Sequence, residues 1–348
     1  MIRHLAIVGA TGAVGREFCT LIGERGLSAR RISLLSSARS AGTQLEAAGK
    51  AVEVTELAED SFDGVDYAIF SAGSQRSRQW APFAVGVGAT VIDNSSAFCM
   101  DRQVPLVVPE INGHAVEQHD GIIANPNCST IIMNMAVWPL HRVNRARRIA
   151  VTTYQAASGA GAAAMEELKA QSADHLAGRD VVPEVFPYPI AFNLFSHDTP
   201  IGADGYNAEE RKMIDETRKI FGDHSLSVTA TCIRVPVLRA HSEAINLTFE
   251  QPMKPEKARE ILSDAPGVKV VDDVDGGRFP MPIDASGRDE ILVGRIRQDV
   301  SQPDNRGIEL FVCGDQLRKG AALNAIQILE LLTGTGDIPP LETRRHRF

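Results

Sequence analysis

The pattern that most constrains this chain lies near its start. An apolar run, Leu5 to Val8, gives way to Gly9-Ala10-Thr11-Gly12-Ala13-Val14-Gly15 and then to Arg16-Glu17-Phe18-Cys19-Thr20-Leu21-Ile22 with helical periodicity. Strand, glycine turn and helix in that order open a βαβ unit and hence a parallel sheet. Glycine allows the tight turn, lets backbone N–H groups approach a pyrophosphate and lets the helix pack closely on the strand, while the helix N-terminus favours negative charge. The spacing is Gly-x-x-Gly-x-x-Gly, and its position makes Gly9, Thr11, Gly12, Ala13, Val14 and Gly15 the expected dinucleotide-binding residues. The alternative is a βα turn that holds no ligand.

A second strand, Arg31 to Leu35, ends where an NAD-specific fold usually places a carboxylate for the ribose 2′-hydroxyl. None occurs between Glu24 and Glu46; the strand runs instead into Ser36-Ser37-Ala38-Arg39-Ser40. The guanidinium of Arg39 and the hydroxyl of Ser40 suit a 2′-phosphate, so NADP is the expected cofactor. Further strands are expected over Val65–Phe70, Ala89–Asp93 and Leu106–Val108. In an open parallel sheet the ligand crevice lies beyond the carboxyl ends of the strands, which puts Ser71, Ala72 and Gly73 against the cofactor. This first unit is expected to end near residue 125.

Lys and Arg number 36 against 44 Asp and Glu, a net charge of −8. No basic field exists to hold a nucleic-acid backbone or an anionic bilayer, so neither partner is expected. No stretch approaches the ~20 apolar residues of a membrane span, and the opening residues lack the features of a signal peptide, so a cytoplasmic location is expected. The five cysteines are odd in number and contain no Cys-x-x-Cys pair. That disfavours a disulfide framework and a metal site alike.

From Arg148 the pattern changes to longer β-like runs: Arg148–Gln155, Leu226–Val237, Ala244–Phe249, Ile291–Ile296 and Gly307–Cys313. They imply a second domain on a mixed or antiparallel sheet. A final periodic segment, Lys319–Leu332, reads as a helix.

Chemistry is concentrated in Asn125-Pro126-Asn127-Cys128-Ser129-Thr130, which precedes an apolar helical run, Ile131–Leu140. Cys128 therefore falls at a helix N-terminus, where free N–H groups and the macrodipole are expected to lower its pKa and favour a nucleophilic thiolate. Beside a nicotinamide, such a thiolate can attack an aldehyde, and loss of hydride from the hemithioacetal leaves a thioester. A base is then needed, and His241 is the best-placed candidate among nine histidines.

Gly9–Gly15, Ser37-Ala38-Arg39-Ser40-Ala41-Gly42, Asn125–Thr130, Tyr154-Gln155-Ala156-Ala157-Ser158-Gly159-Ala160-Gly161, Arg234–Ser242 and Gly314–Ala322 together resemble the bacterial aspartate-semialdehyde dehydrogenase family over nearly the whole chain. The resemblance implies an α/β fold: an N-terminal Rossmann-type doubly wound domain (1–125 and 318–348, the C-terminal helix returning to it) and a central α+β substrate and dimerisation domain (126–317). It also implies a homodimer. The implied reaction is the reversible, NADP-dependent reductive dephosphorylation of L-aspartyl 4-phosphate to L-aspartate 4-semialdehyde, towards lysine, threonine and methionine. Carried over by motif, Cys128 forms the thioester, His241 is the acid/base and Gln155 orients the acyl group. Arg234 holds the substrate carboxylate, Glu209 its ammonium and Lys212 the phosphate. Ser158, Gly159 and Gln316 join the cofactor-binding set. Helical spacing independently puts Glu209 and Lys212 on one face.

One position departs from the family. Ala97-Phe98-Cys99 stands where the family reads Ala-Phe-Arg, and that Arg is a second phosphate ligand; either Arg102, three positions on, reaches the same anion or the phosphate site is weakened. Cys99 keeps open a relative that uses the same chemistry on another acyl phosphate or semialdehyde. A non-catalytic dinucleotide-binding paralogue is the alternative from a different class.

Overall fold

The computed structural model describes residues 1–335. Seven strands form the first sheet: β1 (Ile2–Val8), β2 (Ala29–Ser36), β3 (Gln44–Ala47), β4 (Lys50–Glu56), β5 (Tyr67–Phe70), β6 (Thr90–Asp93) and β7 (Ile122–Ala124). Their spatial order is β3-β4-β2-β1-β5-β6-β7, parallel throughout except for the β3–β4 hairpin. The order reverses at β1, so the topological switch point lies between the ends of β1 and β5. Helix α1 (Ala13–Glu24) covers one face and α2 (Ser74–Gly86) the other, each burying apolar side chains against the sheet.

After the short α3 (Pro109–Asn112) comes α4 (Cys128–Val143), then β8 (Ala146–Gln155), α5 (Ala162–Leu176), β9 (Phe195–Ser196), α6 (Ala208–Phe221), β10 (Ser227–Arg234) and β11 (His241–Phe249). The chain continues through α7 (Pro255–Ser263), β12 (Val268–Val270), α8 (Pro282–Ala285), β13 (Ile291–Gln298) and β14 (Gly307–Gly314). These strands make a second, mixed sheet in the order β12-β13-β14-β11-β8-β10-β9. Its inner face packs on α4, α6 and α7 in one apolar core. Along β8 the alternation of buried Ile149, Val151 and Thr153 with more open Ala150, Thr152 and Tyr154 leaves the other face uncovered in the single chain.

A π-helical turn, Arg318–Ala322, leads into α9 (Leu323–Thr333), which buries Leu323, Ile326 and Leu329 in the same cluster as Leu5, Ile7 and Phe18. The end of the chain thus returns to the first sheet; residues 336–348, which the sequence assigns to that unit, lie outside the described residues.

Two expectations about elements need correction, and one element gives no sequence signal. Leu106–Val108 is not a strand: Leu106 makes one bridge to Ala124, and the edge strand is the three-residue β7, too short to show as a pattern. The β3–β4 hairpin carries no apolar run, because most of its residues are exposed. β11 begins at His241 rather than Ala244, so His241 is part of the sheet.

Lys319 fixes the returning segment. Fully buried, it donates to Glu110 Oε2 (2.5 Å), Asn324 Oδ1 (2.9 Å) and Gln327 Oε1 (2.7 Å). Removing one member of a buried ion pair strands the other charge. Lys319→Met is expected to lower unfolding free energy by about 3–5 kcal/mol in urea titration, and adding Glu110→Leu to return most of the loss.

Candidate active site

The strand ends converge on one crevice. At the switch point Gly9 has φ +89°, and a Cβ there would overlap the Ser71 carbonyl of the neighbouring βα turn; a Cβ on Gly15 would overlap the Gly9 carbonyl. These two glycines let turn and helix close up, and Gly12, Ala13 and Val14 face a cavity of about 360 Å³ together with Ser71 and Gly73. The same cavity is lined by Cys128, Ser158, Gly159, Lys212 and Gln316. A larger groove of about 880 Å³, between α1 and the β3–β4 hairpin, holds none of the candidate site residues. Thr11 Oγ1 meets Ser36 Oγ at 2.9 Å and donates to Ser40 Oγ at 3.4 Å, and Arg39 is exposed beside them with no ion-pair partner among the described residues. Ala72 gives its carbonyl to Arg76 (3.4 Å) and lies just outside the cavity lining.

Cys128 is the first residue of α4, and Asn127 caps that helix by accepting the Thr130 N–H on Oδ1 at 3.1 Å. Asn127 also donates its backbone N–H to Glu216 Oε2 (2.8 Å) and its amide to Glu209 Oε1 (2.7 Å), tying α4 to α6. The Cys128 sulfur lies 3.5 Å from His241 Nε2. His241 is the first residue of β11, Arg234 the last of β10 and Gln155 the last of β8, so three neighbouring strands deliver their ends to one corner. The tight connection between β10 and β11 places Ala240 at φ +72°, a left-handed conformation unfavourable for alanine, and the Ala240 N–H donates to Gln316 Oε1 at 2.9 Å. That contact fixes the backbone of the residue before His241.

The tautomer of His241 follows from its partner. The Ala156 backbone N–H donates to Nδ1 at 3.0 Å, so the neutral ring carries its proton on Nε2 and presents it to the sulfur. Burial, with Arg234 and His197 adding, holds its pKa down to about 3 against the opposing charge of Glu209. The thiol departs from the sequence expectation. Cys128 keeps part of its surface open to the cavity, but burial pushes its pKa up to about 12, with Glu209 adding and Arg234, Lys212 and the Ser129 N–H opposing. The resting pair is thiol and neutral imidazole.

Around this pair the charges are matched. For Glu209, burial acts to raise the pKa, yet Lys212, His197 and the Asn127 amide outweigh it and take it down to about 2. Lys212 Nζ donates to Glu209 Oε2 at 3.1 Å, and Gln155 Nε2 to Glu209 Oε1 at 3.1 Å. Gln155 Oε1 in turn accepts from Thr153, so both ends of that amide are engaged. Arg234 Nε donates to Asp198 Oδ1 at 3.3 Å and its guanidinium lies over the Phe186 ring, but the buried Nη1 has no partner among the described residues. Gly159 abuts Arg234 and His241 so closely that a Cβ would crowd both.

Arg102 is exposed and is no part of the cavity lining; the wall at this place is the buried Cys99, whose thiol donates to the Ser95 carbonyl at 3.3 Å. The structure therefore does not bring Arg102 to the other candidates. Sequence reasoning missed Asn127, His197, Asp198 and Glu216. Only Glu216 had a signal, the i, i+3, i+7 spacing of 209, 212 and 216 on one helix face.

Two family models match the chain: semialdehyde dehydrogenase, NAD binding domain, over residues 4–119, and semialdehyde dehydrogenase, dimerisation domain, over residues 137–319. It is 54% identical over 333 residues to the aspartate-semialdehyde dehydrogenase of Synechocystis, covering 96% of this chain and 98% of that protein. Identity to the Aquifex aeolicus enzyme of the same name is 49% over 338 residues, 96% and 98% of the two chains. The structure of aspartate semialdehyde dehydrogenase II from Vibrio cholerae, complexed with ASA, superposes with a TM-score of 0.93 at 42% identity, covering 96% of this chain and 99% of that one.

If His241 serves as a fixed donor, His241→Gln, which keeps an N–H, is expected to retain roughly 10-fold more kcat than His241→Ala, itself down about 10²- to 10³-fold. The kcat/KM profile is expected to show no acidic limb belonging to His241 near its ordinary pKa, because the folded ring stays neutral down to about 3. A limb there that disappears in His241→Gln would show a titrating base instead.

Proposed function

Because the chain belongs to the aspartate-semialdehyde dehydrogenase family, we propose that it interconverts L-aspartate 4-semialdehyde and L-aspartyl 4-phosphate through a thioester on Cys128, with NADP as its dinucleotide. The chain is an oxidoreductase, and its N-terminal unit is a nicotinamide dinucleotide-binding domain. The observation that carries the mechanism is that one cavity is lined both by the glycine turn and by Cys128, whose sulfur is within reach of His241 Nε2.

When bound, the dinucleotide supplies a hydride acceptor or donor. The remaining steps belong to the protein. The Cys128 thiol adds across the aldehyde C=O, its sulfur to the carbon and its proton to the oxygen, and the charge developing on that oxygen is met by the Nε2–H of His241, a donor fixed by Ala156 and therefore already oriented. Loss of hydride to the bound dinucleotide and of the hydroxyl proton to solvent would leave the thioester, which phosphate would cleave with the Cys128 sulfur as leaving group. Arg234 receives the substrate carboxylate on its free Nη1, a planar contact that Lys could not reproduce. Glu209, held ionised by Lys212, Asn127 and Gln155, receives the ammonium; Gln155 acts on the substrate through Glu209. Lys212, which lines the same cavity, would hold the acceptor phosphate. Ser158 and Gln316, hydrogen-bonded to one another, line the cavity and would help to hold the dinucleotide there.

The carboxyl end of β2 carries Ser36 and no carboxylate, and the Thr11, Ser36 and Ser40 hydroxyls beside exposed Arg39 support a 2′-phosphate. The uncovered face of the second sheet, with Tyr154 at its surface, supports a homodimer in which a second copy packs there; the matching model is itself a dimerisation domain. We take 1–125 with the α9 region as one domain and 126–317 as the other. Free cysteines throughout are in keeping with a cytoplasmic protein.

Cys128→Ser is expected to abolish semialdehyde-dependent NADPH formation while cofactor affinity changes little, since a hydroxyl lacks a thiolate's nucleophilicity. Wild-type turnover in that variant would end the covalent mechanism. For the cofactor, kcat/KM is expected to favour NADP over NAD by at least ~10-fold, and Arg39→Ala to narrow the gap chiefly through NADP. Equal efficiencies in the unaltered enzyme would remove Arg39 from the site and turn attention to Glu56, the last residue of β4, which pairs with Ser36 of β2.

A further inference from the structure

Glu216 stands in the same cavity and has no part in the steps above. It lies on α6 two turns beyond Glu209, is fully buried, and lines the wall with Cys99 and Lys212. Its Oε2 accepts the Asn127 N–H, but Oε1 is buried without a hydrogen-bond partner among the described residues. Burial pushes this carboxyl up to about 7, with Glu209 adding to the rise and the Asn127 N–H, Lys212 and Thr130 opposing it.

The ionisable groups facing it are few. Lys212, Glu209 and Lys219 come from its own helix, Cys99 from the segment after β6, and Cys128 from α4. Neither lysine is free to serve it. Lys212 is bound to Glu209, and Lys219 donates to the carbonyls of Cys99 (2.8 Å), Asp101 (2.6 Å) and Val104 (2.8 Å). The Cys99 thiol brings no charge, its own ionisation being suppressed by burial and by Glu216. An ionised Glu216 beside the Lys212–Glu209 pair leaves this end of the cavity with one net negative charge; a protonated one leaves it neutral and adds an O–H donor.

We propose that Glu216 sets the anion specificity of this cavity: a tetrahedral oxyanion binds when the Glu216 carboxyl is protonated and donates from Oε1, and is excluded when it is ionised. The inference rests on the acyl-phosphate reading, in which phosphate is that oxyanion. Its sign is fixed by linkage: affinity falls as pH rises through the carboxyl's titration, tending to tenfold per pH unit.

Sulfate is the suitable probe, because it keeps its double charge across the neutral range where phosphate itself titrates. Its Kd for the full-length protein, by calorimetry, is expected to rise roughly 10-fold or more between about pH 6 and about pH 8.5. Loss of that binding in Lys212→Ala would place the ion in this cavity. Glu216→Gln, always neutral and still a donor, is expected to hold Kd within ~2-fold over the same range. Cys99→Arg, which gives the carboxylate a counter-charge, is expected to tighten binding about 10- to 100-fold and to flatten the profile. A flat profile in the unaltered protein, a slope that persists in Glu216→Gln, or no sulfate binding at any pH overturns the proposal. Should Glu216→Gln not fold, an undiminished slope in Cys99→Arg does so. Absence of semialdehyde-dependent NADPH formation at every phosphate concentration would overturn the acyl-phosphate reading instead, and sulfate binding is measured without it.

Discussion

Asn127 is the residue through which the site is assembled. Its Oδ1 closes the first turn of α4 on the Thr130 N–H, its amide reaches Glu209 and its backbone N–H reaches Glu216, so one side chain and one peptide join the nucleophile's helix to the helix that carries the charged groups. Without the cap the first turn of α4 would lose about 1 kcal/mol and the fixed position of Cys128 with it. Without the contacts to α6, two buried carboxyls would each lose a donor. The placing of Glu209, Lys212 and Glu216 beside the sulfur depends on those two helices keeping their relation.

The two sheets share this junction for a topological reason. The first offers the carboxyl ends of β1 and β5 at its switch point; the second offers the ends of β8 and β10 and the beginning of β11, where the chain turns sharply through left-handed Ala240. Between them runs the π-helical turn before α9, whose Gly320 approaches the Cys128 side chain so closely that a Cβ there would crowd it. Lys319, next to it, is anchored on Glu110. The wall opposite the nucleophile is thus a segment that returns from the end of the chain and is pinned by a buried ion pair, with no need of a long loop.

Much of this was legible in advance, and what was not had physical causes. The glycine turn, the position of Cys128 at the start of a helix and the strand runs are local signals, because periodicity and turn chemistry act within a few residues. β7 escaped because three residues make no pattern, and its pairing with β6 is decided by tertiary context. His197 and Asp198 lie in an irregular stretch held from outside by α5, where Glu167 receives the N–H groups of Glu184 and Val185 and Gln171 those of Ile190 and Ala191. No local pattern announces such a strap. Arg102 was the natural candidate by proximity in sequence, but the turn that buries Cys99 leaves Arg102 in solvent.

The error about the thiol is a matter of magnitudes. A helix N-terminus stabilises an anion by up to about 2 kcal/mol, or roughly 1.5 pKa units, whereas loss of solvent around a largely enclosed group can outweigh that, its upper limit at full burial being about 3 to 5 units. Burial wins at Cys128. It wins because the nearby charges have already been answered: Arg234 leans on Asp198, Lys212 on Glu209, and His241 is kept neutral by the N–H that occupies its Nδ1. What is left to a thiolate there is the one guanidinium nitrogen of Arg234 that Asp198 does not engage. The groups that would favour it, Arg234 Nη1 and the Nε2–H of His241, are the ones that the substrate's own carboxylate and developing oxyanion would engage. Nucleophile and substrate therefore draw on one small set of donors, and a resting thiol leaves those donors available to the ligand.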